Sequence, residues 1–322
     1  MTTKNDPIGL YGKLNCGVLL AITPEYKTIK AARRPGAGQI EDRPARFAMQ
    51  PQFRTLSGVK VRWAEGGKTD GPLLLLLCPL PQSILAFDPI WRLLSDRFRL
   101  VALDLPGFGR SEGGLEFMTF AAQGNFLRAF IDDLGLDQVH IVGPDVGMSA
   151  ALHYVIHGEH KAASLIIGDG PGVAPSNNGS VIDKMVESAF WRLVFRIAGA
   201  GAFVEAGNKL CYVNYAPHAE EVADYVASYA GRIGPVTQWF ADYPKSLATV
   251  DPHLGEIDLP VKVFWGELDQ LLFKDNGERL HQRLKRSDLT MIPNCGHFSY
   301  QDQAEKFAQM VADWVGGGYR SL

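Results

Sequence analysis

The stretch Val139-His140-Ile141-Val142-Gly143-Pro144-Asp145-Val146-Gly147-Met148-Ser149-Ala150-Ala151 sets the architecture of the chain. An apolar run ends at Gly143, and a small-residue helical pattern begins just after Asp145. The chain must turn sharply between them, and Gly143 and Gly147 lack a Cβ where strand and helix crowd together. Such a turn lifts Asp145 out at the carboxyl end of a strand and the amino end of a helix. An anion is favoured there, because unpaired N–H groups and the helix dipole point at it.

On the amino-terminal side of this turn, Val59 to Trp63 alternates as a half-exposed strand should. Leu73 to Leu77 is a solid apolar run, as expected of a strand buried on both faces of a parallel sheet. Further runs of this kind are Leu100–Leu103, Val139–Val142, Leu165–Ile167, Val261–Trp265 and Leu289–Ile292. Helical patterns over Trp91–Phe98, Phe120–Leu134, Val146–Ile156, Gly277–Leu284 and Gln303–Val315 separate most of them. Strands alternating with helices predict a mostly parallel, doubly wound α/β sheet with its ligands at the carboxyl ends of the strands.

The alternation stops between Gly170 and Asp258, where aromatic, helix-leaning segments take over. The expected organisation is therefore an N-terminal arm over 1–52, an α/β core over 53–170 and 258–322, and a helical cap over 171–257. In the arm, Tyr26 to Arg34 has helical character and 34–38 reads as a linker. Two roles stay open for the arm: packing on the main domain, or regulation and homodimer formation.

A chain of 322 residues with a net charge of −3 gives no reason to expect nucleic acid or an anionic membrane as partner. The partners expected are a small-molecule substrate and water. Cys16, Cys78, Cys211 and Cys295 form no C-x-x-C pair and read as reduced thiols, with no metal and no cofactor expected. The apolar stretch 16–22 is short for a signal-peptide core and its leader is poorly basic, so the expected location is cytoplasmic.

Asp145 gains weight from residues further along the chain. Trp265-Gly266-Glu267-Leu268-Asp269 places a carboxylate just past a buried strand, and Cys295-Gly296-His297-Phe298 places a histidine just past the next. In the order nucleophile, acid, base, His297 is the candidate general base and Asp269 the group that fixes its tautomer. Asp169 also follows a strand and is the alternative acid. Ser149 is the alternative nucleophile, one helical turn past the bend. The remaining seven histidines read as surface or helix residues.

On these residues, with Asp104-Leu105-Pro106-Gly107-Phe108-Gly109-Arg110-Ser111 as a further mark, the chain resembles the α/β-hydrolase superfamily over about residues 53 to 318. Asp at the nucleophile position resembles the branch of epoxide hydrolases and haloalkane dehalogenases. The resemblance implies a covalent alkyl ester on Asp145, hydrolysed by water that His297 activates. The oxyanion donors it implies are the Val146 amide and, in Cys78-Pro79-Leu80-Pro81, the Leu80 amide. Dehalogenases of this kind hold halide with a Trp after the nucleophile and an Asn in the oxyanion loop. Val146 and Leu80 stand at those places, which favours epoxide-to-diol hydrolysis on an apolar small molecule over carbon–halogen hydrolysis. Proton donors for the opened ring are sought among Trp191, Trp239 and Tyr243. A non-catalytic small-molecule binder on the same fold is the reading from a different class.

Overall fold

A computed structural model describes residues 6–42, 45–175 and 180–322. Eight strands form one sheet: β1 (Gln52–Leu56), β2 (Val59–Gly67), β3 (Leu73–Leu77), β4 (Arg99–Leu103), β5 (Val139–Pro144), β6 (Ala162–Gly168), β7 (Val261–Gly266) and β8 (Ser287–Ile292). Their order is β1-β2-β4-β3-β5-β6-β7-β8, antiparallel at β1–β2 and β2–β4 and parallel from β4 onward. This is the α/β-hydrolase fold. All six apolar runs of the sequence, and the alternating segment Val59–Trp63, are strands in it. The continuous runs β3, β5 and β7 are buried throughout, whereas the edge strands β1 and β8 are largely exposed or half-buried. Burial on both faces, rather than alternation, is what a central strand between helical layers requires.

The chain steps from β3 out to β4 on one side and returns to β5 on the other. The carboxyl ends of β3 and β5 are thus the switch point where an open α/β sheet leaves a crevice. Leu80 lies just past the first of these strands and Asp145 directly past the second.

The helices are α1 (Gly9–Ala21), α2 (Glu25–Ala32), α3 (Asp88–Leu94), α4 (Phe120–Asp133), α5 (Val146–Ile156), α6 (Val181–Glu187), α7 (Ala189–Cys211), α8 (Ala219–Tyr229), α9 (Ile233–Leu247), α10 (Asp275–Arg283), α11 (Ser299–Asp302) and α12 (Ala304–Val315). Helices α6 to α9 fall between β6 and β7, and α7 is broken at Gly199, whose φ is +81°. Helix α3 starts earlier than the periodicity predicts, because Asp88-Pro89 supplies a helix start and Phe98 already lies beyond its end. The arm holds a helix, α1, longer than the apolar stretch 16–22, and α2 overlaps the helical pattern read there, starting one residue earlier and ending two residues sooner.

Two expectations fail locally. The alternation of β2 predicts an outward-facing Arg62, yet it is buried with Val61, Trp63 and Ala64. Its guanidinium donates to Asp104 at 2.6 Å and to Asp224 of α8 at 2.8 and 2.9 Å, so two carboxylates compensate its desolvation. His140 is neither on the surface nor in a helix: it lies buried in β5, its Nδ1 2.7 Å from the Ser164 hydroxyl. All four cysteines are buried free thiols.

At the β5–α5 turn a Cβ on Gly143 would fall 2.7 Å from the Gly147 carbonyl oxygen. Gly143→Ala is therefore expected to cost roughly 1–3 kcal/mol in urea unfolding. Gly17→Ala in α1, where a Cβ meets nothing within 4 Å, should be neutral or stabilising by about 0.5–1 kcal/mol.

Candidate functional site

Asp145 adopts φ +49° and ψ −125°, a conformation strained for any residue but glycine. Its N–H donates to the Gly168 carbonyl at 3.1 Å, which anchors the turn to the end of β6. The side chain is half-buried and faces a cavity of about 740 Å³. The Leu80 N–H donates to its Oδ2 at 2.5 Å, and the Val146 N–H is hydrogen-bonded to the same carboxylate. Both amides expected to hold an oxyanion therefore converge on Asp145. Burial pushes its carboxyl up to about 6, against the pull of His297 and of these two amides.

His297 is 3 % exposed and lines the same cavity. Its Nδ1 lies 2.8 Å from Asp269 Oδ2, while Asp269 Oδ1 accepts from the N–H groups of Leu271 and Leu272 at 2.8 and 3.1 Å. Burial by itself lowers the pKa of an imidazolium. Here the charge of Asp269 and the hydrogen bond to it, with Asp145 and Asp169 behind, outweigh burial and lift His297 to about 9.

Between the two candidate acids the geometry is unambiguous. Asp169 is fully buried, accepts from the Gly266 N–H at 2.8 Å and from the Ser299 hydroxyl, and makes no hydrogen bond to His297. Burial first, then the charge of Asp269, raises its pKa well above the usual carboxylate range. Ser149 is set aside as nucleophile: it is buried in α5, and its hydroxyl donates back to the Val146 carbonyl at 2.7 Å.

The three aromatic candidates separate. Trp239 and Tyr243, both on α9, line the cavity. Trp239 packs edge-on to Phe108 at 5.3 Å and tilted over Phe120 at 5.2 Å. Trp191 does not reach this cavity. It borders a smaller void of about 330 Å³ beside it, with Leu19, Leu20 and Ile22 of the arm and the Lys184 ammonium 5.6 Å from its ring centroid. Helical periodicity alone does not reveal which face of α7 turns inward. Val181, Phe195, Ala206 and Leu210 face both spaces.

Sequence reasoning misses the groups that hold the site together. Asp302 accepts from the N–H groups of Gly296 (2.8 Å), Val213 (3.0 Å), Asn214 (2.7 Å) and Tyr215 (2.9 Å), tying the His297 turn to the chain after α7. Asp104, the first residue of the Gly-rich loop, accepts from the Ile84 N–H at 2.7 Å and the Arg110 N–H at 2.9 Å, pinning the loop that carries Leu80. An acidic residue opening a loop rich in glycine is the one signal for it in the sequence. Beyond Asp145 and His297, the cavity wall is almost wholly apolar, built from residues such as Ile182, Met185, Phe203, Leu210, Phe240 and Leu271. Among the described residues it carries no Lys, Arg, Asn or Gln, and no group of three or more His, Cys, Asp or Glu is placed to hold a metal ion.

A strained turn carrying a carboxylate, two convergent amides and a buried His–Asp pair at a sheet switch point define a hydrolase-type site. The model of the alpha/beta hydrolase fold family matches residues 72–304, and the chain belongs to that family as a hydrolase. A 2-hydroxy-6-oxononadienedioate/2-hydroxy-6-oxononatrienedioate hydrolase of Dechloromonas aromatica is 25 % identical over 240 residues, 69 % of this chain and 78 % of that protein. Among solved structures, a haloalkane dehalogenase from Bradyrhizobium elkani superposes with a TM-score of 0.72 at 22 % identity, covering 84 % of this chain and 98 % of that one. An epoxide hydrolase superposes with a TM-score of 0.70 at 19 % identity, covering 83 % and 99 %. At these identities the superpositions show the shared fold.

Two measurements test the electrostatics without a substrate. Asp269→Asn should bring the His297 titration, followed by NMR, well below 9, and Asp169→Asn should lower it less. Because Asp145 ionises near 6 in the folded protein and near 3.8 when freely solvated, its charged form costs stability above pH 6. Asp145→Asn should thus raise the melting temperature at pH 8, by at most ~3 kcal/mol of stability. The gain should fade as the pH falls below 6.

Proposed function

We propose that this hydrolase works through a covalent ester on Asp145 and opens epoxides on apolar small molecules to vicinal diols. The observation that carries the reading is the Asp145 carboxylate held by the Leu80 and Val146 amides at the floor of an apolar cavity. A carboxylate there is suited to attack a saturated carbon carrying a leaving group. One oxygen attacks the ring carbon and the ring C–O bond breaks. The departing alkoxide takes a proton from a donor on α9, where the Tyr243 phenol is the acidic group lining the cavity.

Ester formation removes the negative charge of Asp145, one of the charges that keep His297 protonated. His297 then releases that proton to solvent and, as a neutral base, takes one proton from water as the hydroxide adds to the ester carbonyl; it regains its solvent proton once the Asp145 charge returns. The Leu80 and Val146 amides stabilise the oxyanion formed. Collapse expels the second alkoxide, which recovers its proton from His297. The remaining water proton restores the phenol, so epoxide and water leave as diol.

Wall chemistry bears on two other readings. A dienedioate of the kind named for the Dechloromonas relative carries two carboxylates, and among the described residues this wall offers no Lys or Arg for them, only His297, which is already paired with Asp269. Carbon–halogen hydrolysis is the second reading, favoured by the indole of Trp239 in the wall as a halide donor.

The test is intact-protein mass after incubating His297→Gln with a panel of epoxides and haloalkanes. An adduct on Asp145 with the full mass of an epoxide is the expected outcome. An adduct lighter by hydrogen halide would move the assignment to dehalogenation, and no adduct from either class would favour a binder. With the substrate so identified, Asp145→Asn should abolish turnover. Tyr243→Phe should lower kcat roughly 100-fold or more, in line with loss of a general acid.

A further inference from the structure

Twelve large apolar side chains stand exposed among the described residues, and eight of them gather on one face. On α1, Leu10, Leu14 and Val18 (64, 62 and 68 % exposed) follow at intervals of four, with Tyr11 beside them and Ile22 just past the end. On the first segment of α7, Phe190, Leu193 and Ile197 add to them. The two helices run antiparallel in contact. The Tyr11 hydroxyl donates to the Ile197 carbonyl at 2.8 Å, Gly12 packs on Gly201, and the Lys184 ammonium reaches the Ile22 carbonyl at 3.5 Å. At about 200 Å² for a bare large side chain, the face presents on the order of 900 Å² of apolar surface, beyond the ~300–600 Å² of a typical monomer's largest patch.

We infer that this face docks on an anionic lipid bilayer, with α1 lying in the plane of its surface. The whole-chain charge of −3 conceals an uneven distribution. Residues 1–38 hold six basic and two acidic side chains, so the arm carries +4 and the rest of the chain −7. Lys13, Lys27, Lys30 and Arg34 of the arm are exposed. Lys13 of α1 is paired with Asp6 at 2.6 Å, so the attraction to anionic lipid comes chiefly from Lys27, Lys30 and Arg34 on and after α2, while α1 supplies the apolar face. A second copy on the same face would bring two such arms together in a symmetric contact, where like charges oppose association. None of the described helices is long and apolar enough to cross a membrane, so docking is superficial.

The smaller void ties this face to the Asp145 cavity. Ile22 belongs to both the face and the void, and Val181, Phe195, Ala206 and Leu210 of the void also wall the cavity. A lipid-dissolved apolar molecule thus meets the protein beside apolar walls shared with the Asp145 cavity. This delivery role rests on the apolar substrate proposed above, whereas the docking itself does not.

The experiment is flotation of the full chain with phosphatidylcholine vesicles, with and without phosphatidylglycerol. Flotation with the phosphatidylglycerol vesicles, weakening as salt rises, is expected. Leu14→Glu/Val18→Glu/Phe190→Glu should lower vesicle binding roughly tenfold or more while keeping the wild-type melting temperature. Two results would overturn docking: wild-type protein left behind by both vesicle types, or a solution dimer that the triple variant dissociates. Flotation requires no turnover, so its failure leaves the Asp145 chemistry standing, and an unreactive Asp145 leaves the docking result standing.

Discussion

The structure depends on how closely α5 approaches the end of β5. Gly143, Gly147 and Gly170 each present a hydrogen where a methyl group would strike backbone or a core Cβ, and Asp145 is held between them at positive φ. That crossing fixes the carboxylate at the sheet switch point within reach of the Leu80 and Val146 amides. It also removes water, which raises the carboxyl's pKa to about 6 and makes the group expensive to ionise. The strain and the desolvation share one cause, and both are concentrated on the residue proposed to react.

Around this point the other carboxylates have distinct work. Asp269 holds the His297 ring at its Nδ1, 2.8 Å away. Asp169, a near neighbour in space, spends its oxygens on Gly266 and Ser299. Asp302 and Asp104 gather backbone N–H groups and hold the turns in place. Asp269 and Asp169 both act on the charge of His297 and Asp302 holds its turn, and only hydrogen-bond geometry tells their roles apart.

This is why part of the site is legible in the sequence and part is not. Residues fixed by local rules, such as Asp145 in its small-residue turn and His297 and Asp269 past buried strands, can be found from spacing. The continuous runs of β3, β5 and β7 read as buried strands because burial on both faces leaves no alternation. Arg62 and Trp191 mislead, because their placement is decided by partners distant in sequence: Asp104 and Asp224 for the first, Leu19, Leu20 and Ile22 of the arm for the second. The α1 helix is only partly visible, since a stripe that faces outward defeats the rule that apolar periodicity marks the core. Composition averaged over the chain likewise hides the basic arm.

The walls of the cavity bear on how a catalytic cycle ends. In the reaction proposed here the diol would bring two hydroxyl groups into a space whose hydrogen-bonding side chains, among the described residues, are confined to its floor and to α9. Each hydroxyl left without a partner costs about 1–3 kcal/mol relative to water. The reactant, with a single weak acceptor oxygen, bears little of that cost. For the proposed reaction, hydration of the product would thus favour its release, so the same lining that suits an oily reactant would also discharge the wetter molecule made from it.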